Sequence, residues 1–284
     1  MSGPTPVPIE PGPRFIEGLS GPLFTVTYAP AEADPGTLPG ALILPPFAEE
    51  MNRSRRMMAL LGRALAARGV AATVLDLYGT GDSAGDFSEA RWDTWLQDAA
   101  AARDWLNDRV QGGLSYVGIR LGACLALVLA RQELAPEHLV LWSPVLRGDQ
   151  MINQFLRVRA LAGIGQTGGP AGPKESAKDL RARLRGGEVM EIAGYALHPE
   201  LAAAIEGLRL TELAAGYPCP MTWLELAGEA GAAPTPTVAQ ALETLRGARV
   251  AIDFETLAGD PYWSIEETVV VEALIARTAA LWPQ

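Results

Sequence analysis

Residues 118–122 place an arginine between two glycines, in the run Gly118-Ile119-Arg120-Leu121-Gly122. The apolar residues 114–117 before this run predict a strand, and residues 123–126 after it predict a helix. A strand that passes directly into a helix through Gly-x-X-x-Gly is the pattern of a nucleophile elbow, in which the central residue is held in a strained conformation. The sequence therefore predicts that Arg120 lies above the carboxyl edge of a sheet, in the position of a nucleophile.

Arginine cannot act as that nucleophile, because its guanidinium stays protonated and offers five donors without a usable lone pair. The same group can hold a carboxylate or a phosphate through two parallel hydrogen bonds, and the N-terminus of the predicted helix also favours an anion. Two interpretations therefore stay open. Arg120 anchors an anionic ligand, or it pairs with an internal acid and fills the space.

The segment 44–52, Leu-Pro-Pro-Phe-Ala-Glu-Glu-Met-Asn, follows a short apolar run that predicts a buried strand. In this position we expect Phe47 or Ala48 to supply one backbone N–H of an oxyanion hole. Leu121, directly after the elbow, would supply the second. Such a pair of donors would polarise a carbonyl group.

Glu49 and Glu50 come directly after these residues and are candidates to face Arg120. The competing interpretation for both is a favourable negative charge in the first turn of a helix, which the periodicity places from Asn52 onward. Of the two, Glu49 is the one we expect to activate water.

An acid and a base are expected after the last two predicted strands. Glu229 follows the strand 221–226 and occupies the acid position. Asp260 lies in the loop 259–263, Gly-Asp-Pro-Tyr-Trp, where a histidine is expected and none occurs. Glu229 and Asp260 are therefore further candidates to activate water.

The chain has only two histidines, His138 and His198. His138 opens a predicted strand at the edge of the sheet far from the pocket. His198 lies in a segment that we expect to cover the pocket, where an ordinary structural residue is the commoner explanation. The sequence therefore predicts no Ser-His-acid triad.

Other side chains are expected to form the pocket or the core around it. Ser143 ends a predicted strand, the edge where ligands bind in such sheets. Tyr195 and Trp263 are predicted to contact the substrate. Ser83, in a turn that we interpret as structural, is a less favoured nucleophile, and Cys124 is predicted to be a core residue.

The elements that must position these residues alternate between strand and helix, which predicts a mostly parallel sheet with helices on both faces. With the elbow, this order predicts the α/β-hydrolase fold. This alternation of strands and helices is interrupted over 147–215. We therefore expect an inserted lid there and a core domain formed by residues 1–146 and 216–284.

Composition excludes several classes of function. The 284-residue chain has a formal net charge of −10, whereas nucleic-acid binding requires a basic surface. No apolar run is long enough for a membrane span, and no secretion signal is visible, so we expect a cytoplasmic protein. Two cysteines are too few for a disulfide framework, and no metal or cofactor motif occurs.

Three motifs together resemble the exosortase A system-associated hydrolase 2 family, a branch of the α/β-hydrolase superfamily. They are residues 44–55, residues 118–123 including Arg120, and residues 259–263. The resemblance implies a place in an exosortase and exopolysaccharide system of Gram-negative bacteria. It also implies a link to a second hydrolase-fold protein.

Three hypotheses about function follow. The first is a hydrolase of the ester, thioester or acyl class, acting on a small carboxylate-bearing substrate that Arg120 anchors while water attacks the carbonyl carbon. The second is a catalytically inactive protein that binds an anionic ligand or a partner. The third is an esterase with a displaced nucleophile, Ser83 or Ser143, and the missing histidine argues against it.

Overall fold

The computed structural model describes residues 9–132, 134–162, 176–265 and 267–282. Its strands, in chain order, are β1 Ile9–Ile16, β2 Leu23–Pro30, β3 Gly40–Leu44, β4 Ala71–Leu75, β5 Leu114–Ile119, β6 His138–Trp142, β7 Met190–Ile192, β8 Tyr195–Leu197, β9 Met221–Ala227 and β10 Ile252–Ala258. Its α-helices are α1 Glu49–Ala66, α2 Trp92–Asn107, α3 Leu121–Leu129, α4 Gly148–Ala162, α5 Ala177–Arg185, α6 Pro199–Gly207, α7 Leu210–Ala214, α8 Pro236–Gly247 and α9 Glu272–Ala279.

One sheet organises the described residues, with the strand order β1-β2-β4-β3-β5-β6-β9-β10. The pairs from β4 to β10 are parallel, whereas β2 is antiparallel to both β1 and β4. All residues of β3, β4 and β5 are buried, which explains why their sequences are mostly apolar, with Thr73 and Ser115 as the exceptions. The predicted α/β-hydrolase fold is confirmed.

Helices cover both faces of this sheet with two apolar cores. On one face, Met57, Leu61 and Leu65 of α1 pack with Leu274 and Ile275 of α9. The other core contains apolar side chains of α2, α3, α4, α6 and α8. Because the parallel strands all end on one edge, the loops after β3, β5, β6 and β10 come together there.

Several predicted boundaries are wrong by a few residues. The helix expected from Asn52 begins at Glu49, so Glu49 and Glu50 form its first turn. The sequence predicts a helix from about Ser88 to Arg109 with Ser88 as its N-cap, but Ser88 does not cap α2. The carboxylate of Asp86 accepts the Ser88 N–H, and the resulting short turn over 87–89 ends before α2 starts at Trp92.

The two ends of the chain also differ from expectation. The proline-rich sequence of the first twelve residues predicts a loose segment, but residues 9–12 belong to β1 and pair with β2. The prolines of this strand are tolerated because β1 is an edge strand. The sequence predicts a final helix over 264–281, whereas the helix present covers Glu272–Ala279.

Between β6 and β9 the described residues form α4, α5, a two-stranded hairpin of β7 and β8, α6 and α7. The glycine- and proline-rich stretch 163–173 lies outside the described residues. Arg91 before α2 pairs with Glu200 of α6 at 2.9 Å. This segment thus contacts the sheet domain, while its boundaries as a separate lid stay a prediction. No helix in the described ranges has the length and apolar character that crossing a bilayer requires.

Candidate active site

The turn from β5 into α3 is strained at its central residue. Arg120 has φ 54° and ψ −115°, a conformation that a non-glycine residue seldom adopts. A Cβ atom on Gly118 would meet the backbone N of Ala123 at 2.7 Å, and one on Gly122 would overlap the carbonyl oxygen of Leu44. Glycine is therefore required on both sides of Arg120, as a nucleophile elbow requires.

The Arg120 guanidinium is held inside the protein by three neighbours. Nη1 donates to the carbonyl oxygen of Ser143 at 2.7 Å, and Nη2 lies 3.4 Å from Oε1 of Glu50. The ring of Trp263 covers the group, with Cζ 4.6 Å from the ring centroid. The side chain of Arg120 is 17% exposed and that of Glu50 is 23% exposed. Of the two interpretations left open above, the internal pair is the arrangement present here.

The pair leaves polar atoms without partners. Within the described residues, Oε2 of Glu50, Nε of Arg120 and the hydroxyl of Tyr262 are buried and make no hydrogen bond. Burial raises the pKa of Glu50, against the lowering effect of Arg120. Burial also raises the pKa of Tyr262, and the charges of Arg120 and Glu50 act on the same phenol. The three groups thus share one electrostatic environment.

Glu49 points to other partners. Its Oε1 lies 3.3 Å from Nε of Arg53, and its Oε2 accepts from Asn52 at 3.2 Å and from the Tyr195 hydroxyl at 3.4 Å. Of the two acids expected to face Arg120, the one that does so is therefore Glu50.

The predicted oxyanion-hole donors stand at the N-terminal ends of two helices. Ala48 caps α1 with φ 50° and ψ −125°, and Leu121 is the first residue of α3. In the described part of the chain, neither backbone N–H donates to an acceptor. Phe47 packs its ring edge-on against Phe87, Trp95 and Phe155, with centroids 5.2–6.1 Å apart.

A cavity of about 290 Å³ adjoins the Arg120–Glu50 pair. It includes Glu50 and Trp263, both of which contact the Arg120 guanidinium. Glu49 and Arg53 supply further charge to its wall. Apolar side chains supply most of the rest, namely Phe47, Met151, Phe155, Val158 and Ala193. The wall thus suits an apolar ligand with one polar end.

Of the remaining predicted site residues, Ser143 and Tyr195 contact residues of the site, whereas Glu229 and Asp260 do not line the cavity. Ser143 contributes its carbonyl oxygen to Arg120, and its hydroxyl accepts from Leu226 N–H at 3.4 Å. Tyr195 reaches α1 from the hairpin, where its hydroxyl accepts from Asn52 at 2.6 Å. Glu229 and Asp260 are exposed, and neither lines the cavity.

The alternative bases and nucleophiles have structural roles. His198 caps α6, with Nδ1 accepting from Glu200 N–H at 3.2 Å. His138 opens β6, the end opposite to the elbow edge, and lies 2.9 Å from the Thr222 hydroxyl.

Ser83 and Cys124 are bonded to backbone groups. The Ser83 hydroxyl accepts from Phe24 N–H at 2.8 Å and donates to the carbonyl of Asp76 at 2.6 Å. Cys124 is buried, and burial raises the pKa of its thiol to about 12. The structural interpretation of the turn around Ser83 thus agrees with its contacts.

Tyr262 is the residue at this site that sequence reasoning missed. It lies in the quoted loop 259–263, next to Trp263, but a tyrosine in an apolar loop is usually a core residue. Only the structure shows that its hydroxyl is buried near an ion pair.

Comparisons with known proteins agree with the fold. The family model described as X-Pro dipeptidyl-peptidase (S15 family) matches residues 22–162. A search of curated protein sequences found no match. Est1E from Butyrivibrio proteoclasticus with bound ferulic acid is similar in structure, with TM-score 0.67 and 18% identity over 95% of this chain and 98% of that chain.

Two further structures support the same conclusion. Fungal esterases from Rhizomucor miehei give TM-score 0.59 and 15% identity, covering 98% of this chain and 84% of theirs. The thioesterase domain from the curacin biosynthetic pathway gives TM-score 0.56 and 15% identity, covering 95% of this chain and 99% of that domain. The chain therefore has the α/β-hydrolase fold.

Proposed function

We propose that the chain is a hydrolase of the ester, thioester or acyl class that acts on a small carboxylate-bearing substrate, with Arg120 as the anion anchor. The observation that carries this proposal is the strained elbow together with two unpartnered donors, the N–H groups of Ala48 and Leu121. The residues on both sides of Ala48, Phe47 and Glu49, line the cavity. Strained backbone of this kind is costly and clusters at functional sites.

Binding would use the N–H groups of Arg120 that have no partner. Nη1 and Nη2 each carry two N–H groups and each has one protein partner, the Ser143 carbonyl and Glu50. A substrate carboxylate can therefore accept from the second N–H of Nη1 and of Nη2 through two parallel hydrogen bonds. The substrate's acyl chain would lie against the apolar wall formed by Phe155 and Val158.

The carbonyl group would then accept from the Ala48 and Leu121 N–H groups, which favour the negative charge that develops on its oxygen. Arginine supplies no lone pair, so water must attack the carbonyl carbon. Glu49, Glu229 and Asp260 are the acids that the sequence offers to activate this water. Among them only Glu49 lines the cavity.

The names of the similar proteins support the reaction class. Esterases and a thioesterase domain share this fold, and the matched family model is that of a dipeptidyl-peptidase. All of these names describe cleavage of an acyl group. The ferulic acid bound to Est1E is itself a carboxylic acid.

The test compares two substrates of equal size. The first is the para-nitrophenyl monoester of adipic acid, which carries a free carboxylate. The second is the para-nitrophenyl ester of 6-methylheptanoic acid, in which an uncharged isopropyl group replaces that carboxylate. We expect wild type to prefer the charged ester, and Arg120→Met to remove about 10- to 100-fold of that preference. A preference that Arg120→Met leaves unchanged would contradict the role of Arg120 as anchor.

A second candidate function is binding without chemistry, and the Arg120–Glu50 pair favours it because it fills the nucleophile position. In that case the chain would hold an anionic ligand or a partner in an exosortase system, in the cytoplasm and together with a second hydrolase-fold protein. Calorimetric binding of adipate without turnover of any ester or thioester would support this candidate over the first.

A further inference from the structure

We infer that Glu50 is the general base of this site, and that Tyr262 and Nε of Arg120 hold the water molecule that Glu50 activates. This inference rests on the proposed hydrolase function. It assigns the proton transfer to Glu50, whereas the sequence favoured Glu49 for this role.

Unsatisfied buried polar atoms carry the inference. Oε2 of Glu50, Nε of Arg120 and the Tyr262 hydroxyl are each buried without a hydrogen bond in the described structure. Buried polar atoms in proteins are almost always paired, and the partner is often an ordered water that makes two to four bonds. An acceptor, a donor and a hydroxyl that share one electrostatic environment offer a water the bonds it needs.

The three side chains are fixed independently of any ligand. Tyr262 is 1% exposed, and its ring packs edge-on against Trp142 at 6.5 Å and Trp263 at 5.2 Å. Arg120 is fixed by its bond to the Ser143 carbonyl. Glu50 projects from the first turn of α1, and its Oε1 is occupied by Arg120. Its second oxygen, Oε2, is therefore the one left to accept a proton.

The other acids are less suited to this step. Both oxygens of Glu49 accept hydrogen bonds, and its side chain is 40% exposed. Glu229 and Asp260 are exposed and lie outside the cavity wall. A general base must be within hydrogen-bond reach of the proton it removes. Glu50 lines the cavity and also adjoins the elbow.

The chemical step balances without a cofactor. Oε2 of Glu50 takes a proton from the water while the water oxygen bonds to the carbonyl carbon, and the carbonyl electron pair moves onto the oxygen between Ala48 and Leu121. The tetrahedral intermediate then collapses and the bond to the leaving alkoxide or thiolate breaks. The proton on Glu50 passes to that leaving group, so the products are an acid and an alcohol or thiol.

The experiment measures kcat and KM for para-nitrophenyl adipate with Glu50→Gln, Tyr262→Phe and the matched control Glu255→Gln. Glu255 pairs with Arg277 at 2.5 Å and lies outside the cavity wall, so the control also breaks an Arg–Glu pair. We expect Glu50→Gln to lower kcat about 100- to 10,000-fold with KM nearly unchanged. Because Tyr262 is a positioning residue, Tyr262→Phe should give a smaller fall in kcat at constant KM. Glu255→Gln should behave as wild type.

The contrary outcomes distinguish failure of the Glu50 assignment from failure of the proposed hydrolase function. Wild-type kcat in Glu50→Gln, with the charged-ester preference still dependent on Arg120, overturns the base assignment and leaves the hydrolase function in place. A raised KM with unchanged kcat in Glu50→Gln shows that Glu50 only positions Arg120, and also overturns it. No hydrolysis by wild type overturns both. If Glu50→Gln does not fold, unchanged kcat in Tyr262→Phe overturns the water site.

Discussion

The indole ring of Trp263 covers the guanidinium of Arg120, with Cζ 4.6 Å from the ring centroid. Trp263 stands in the loop after β10, where a hydrolase of this fold carries its histidine, and Arg120 stands in place of the nucleophile. The two departures from the usual triad are therefore in contact. A cation over a partly desolvated indole contributes about 1 to 2 kcal/mol, so each residue favours the presence of the other.

The Arg120–Glu50 pair gives a prediction about stability. Arg120→Met leaves the carboxylate of Glu50 without its partner, and we expect the free energy of unfolding to fall by about 3 kcal/mol. Glu50→Gln in the Arg120→Met background should recover at least about 1 kcal/mol, because the uncompensated charge is removed. Urea unfolding of the two single variants and the double variant measures this coupling. Purely additive losses would contradict a direct interaction.

The serines near the site give a prediction about labelling. Ser83 is bonded to the backbone of Phe24 and Asp76, and Ser143 accepts from Leu226 N–H. Within the described residues neither hydroxyl contacts a histidine, so neither is activated as a nucleophile. A fluorophosphonate probe should therefore label neither Ser83 nor Ser143, as judged by mass spectrometry with a serine esterase as positive control. Stoichiometric labelling of either would restore the displaced-nucleophile hypothesis.

The Tyr195 hydroxyl links the β7–β8 hairpin to α1, through Asn52 at 2.6 Å and Glu49 at 3.4 Å. Tyr195→Phe removes both bonds but keeps the ring contact with Phe87. We expect the hairpin amides to exchange with solvent about fivefold faster, from a loss of about 1 kcal/mol in local stability.

Hydrogen exchange read by mass spectrometry over residues 190–197 measures this change. Tyr28→Phe is the matched control, because the Tyr28 hydroxyl makes no hydrogen bond within the described structure. Equal exchange rates in the hairpin of both variants would show that the two bonds do not hold it.

Asp98 gives a prediction about pH. It is fully buried on α2, where one oxygen accepts from Tyr78 N–H at 2.8 Å. Burial raises its pKa from 3.8 to about 6, although the Tyr78 N–H lowers it. The folded chain therefore holds this proton more tightly than the unfolded chain. Stability from this group is present below the unfolded pKa and is lost as the pH rises through about 6.

The measurement is urea unfolding of Asp98→Asn, which keeps an acceptor for Tyr78. Above about pH 7 we expect the variant to be more stable than wild type by about 2 to 3 kcal/mol, with a smaller difference near about pH 5. Asp108→Asn, an exposed position after the same helix, should change stability by less than about 0.5 kcal/mol at either pH. A gain from Asp98→Asn that does not depend on pH would contradict the assigned cause.

Much of the fold was predictable because its signals are local. The buried strands β3, β4 and β5 have mostly apolar sequences, and the turn at residues 118–122 needs its glycines whatever the residue between them. The helix starts at Glu49 and Trp92 were missed because capping depends on loop conformation, which apolar periodicity does not report.

The site was less predictable because its contacts join residues distant in sequence. The sequence favoured Glu49 over Glu50 to activate water, whereas the direction of each side chain from the first turn of α1 brings Glu50 to Arg120. Tyr262 carried no signal of its own, since its importance lies in a hydroxyl whose neighbours are Glu50 and Arg120. A buried atom without a partner is a property of packing and cannot be read from a residue type.

The close approach of Gly122 to the end of β3 has a consequence for how this scaffold changes over evolution. The elbow backbone is fixed by its neighbours and not by the side chain at position 120, so serine there would meet a turn already shaped for it. Serine alone at position 120 would leave Glu50 without its partner, and histidine alone at position 263 would face the Arg120 cation. Conversion of this site to a triad therefore requires paired replacements, because Arg120 contacts both Glu50 and Trp263.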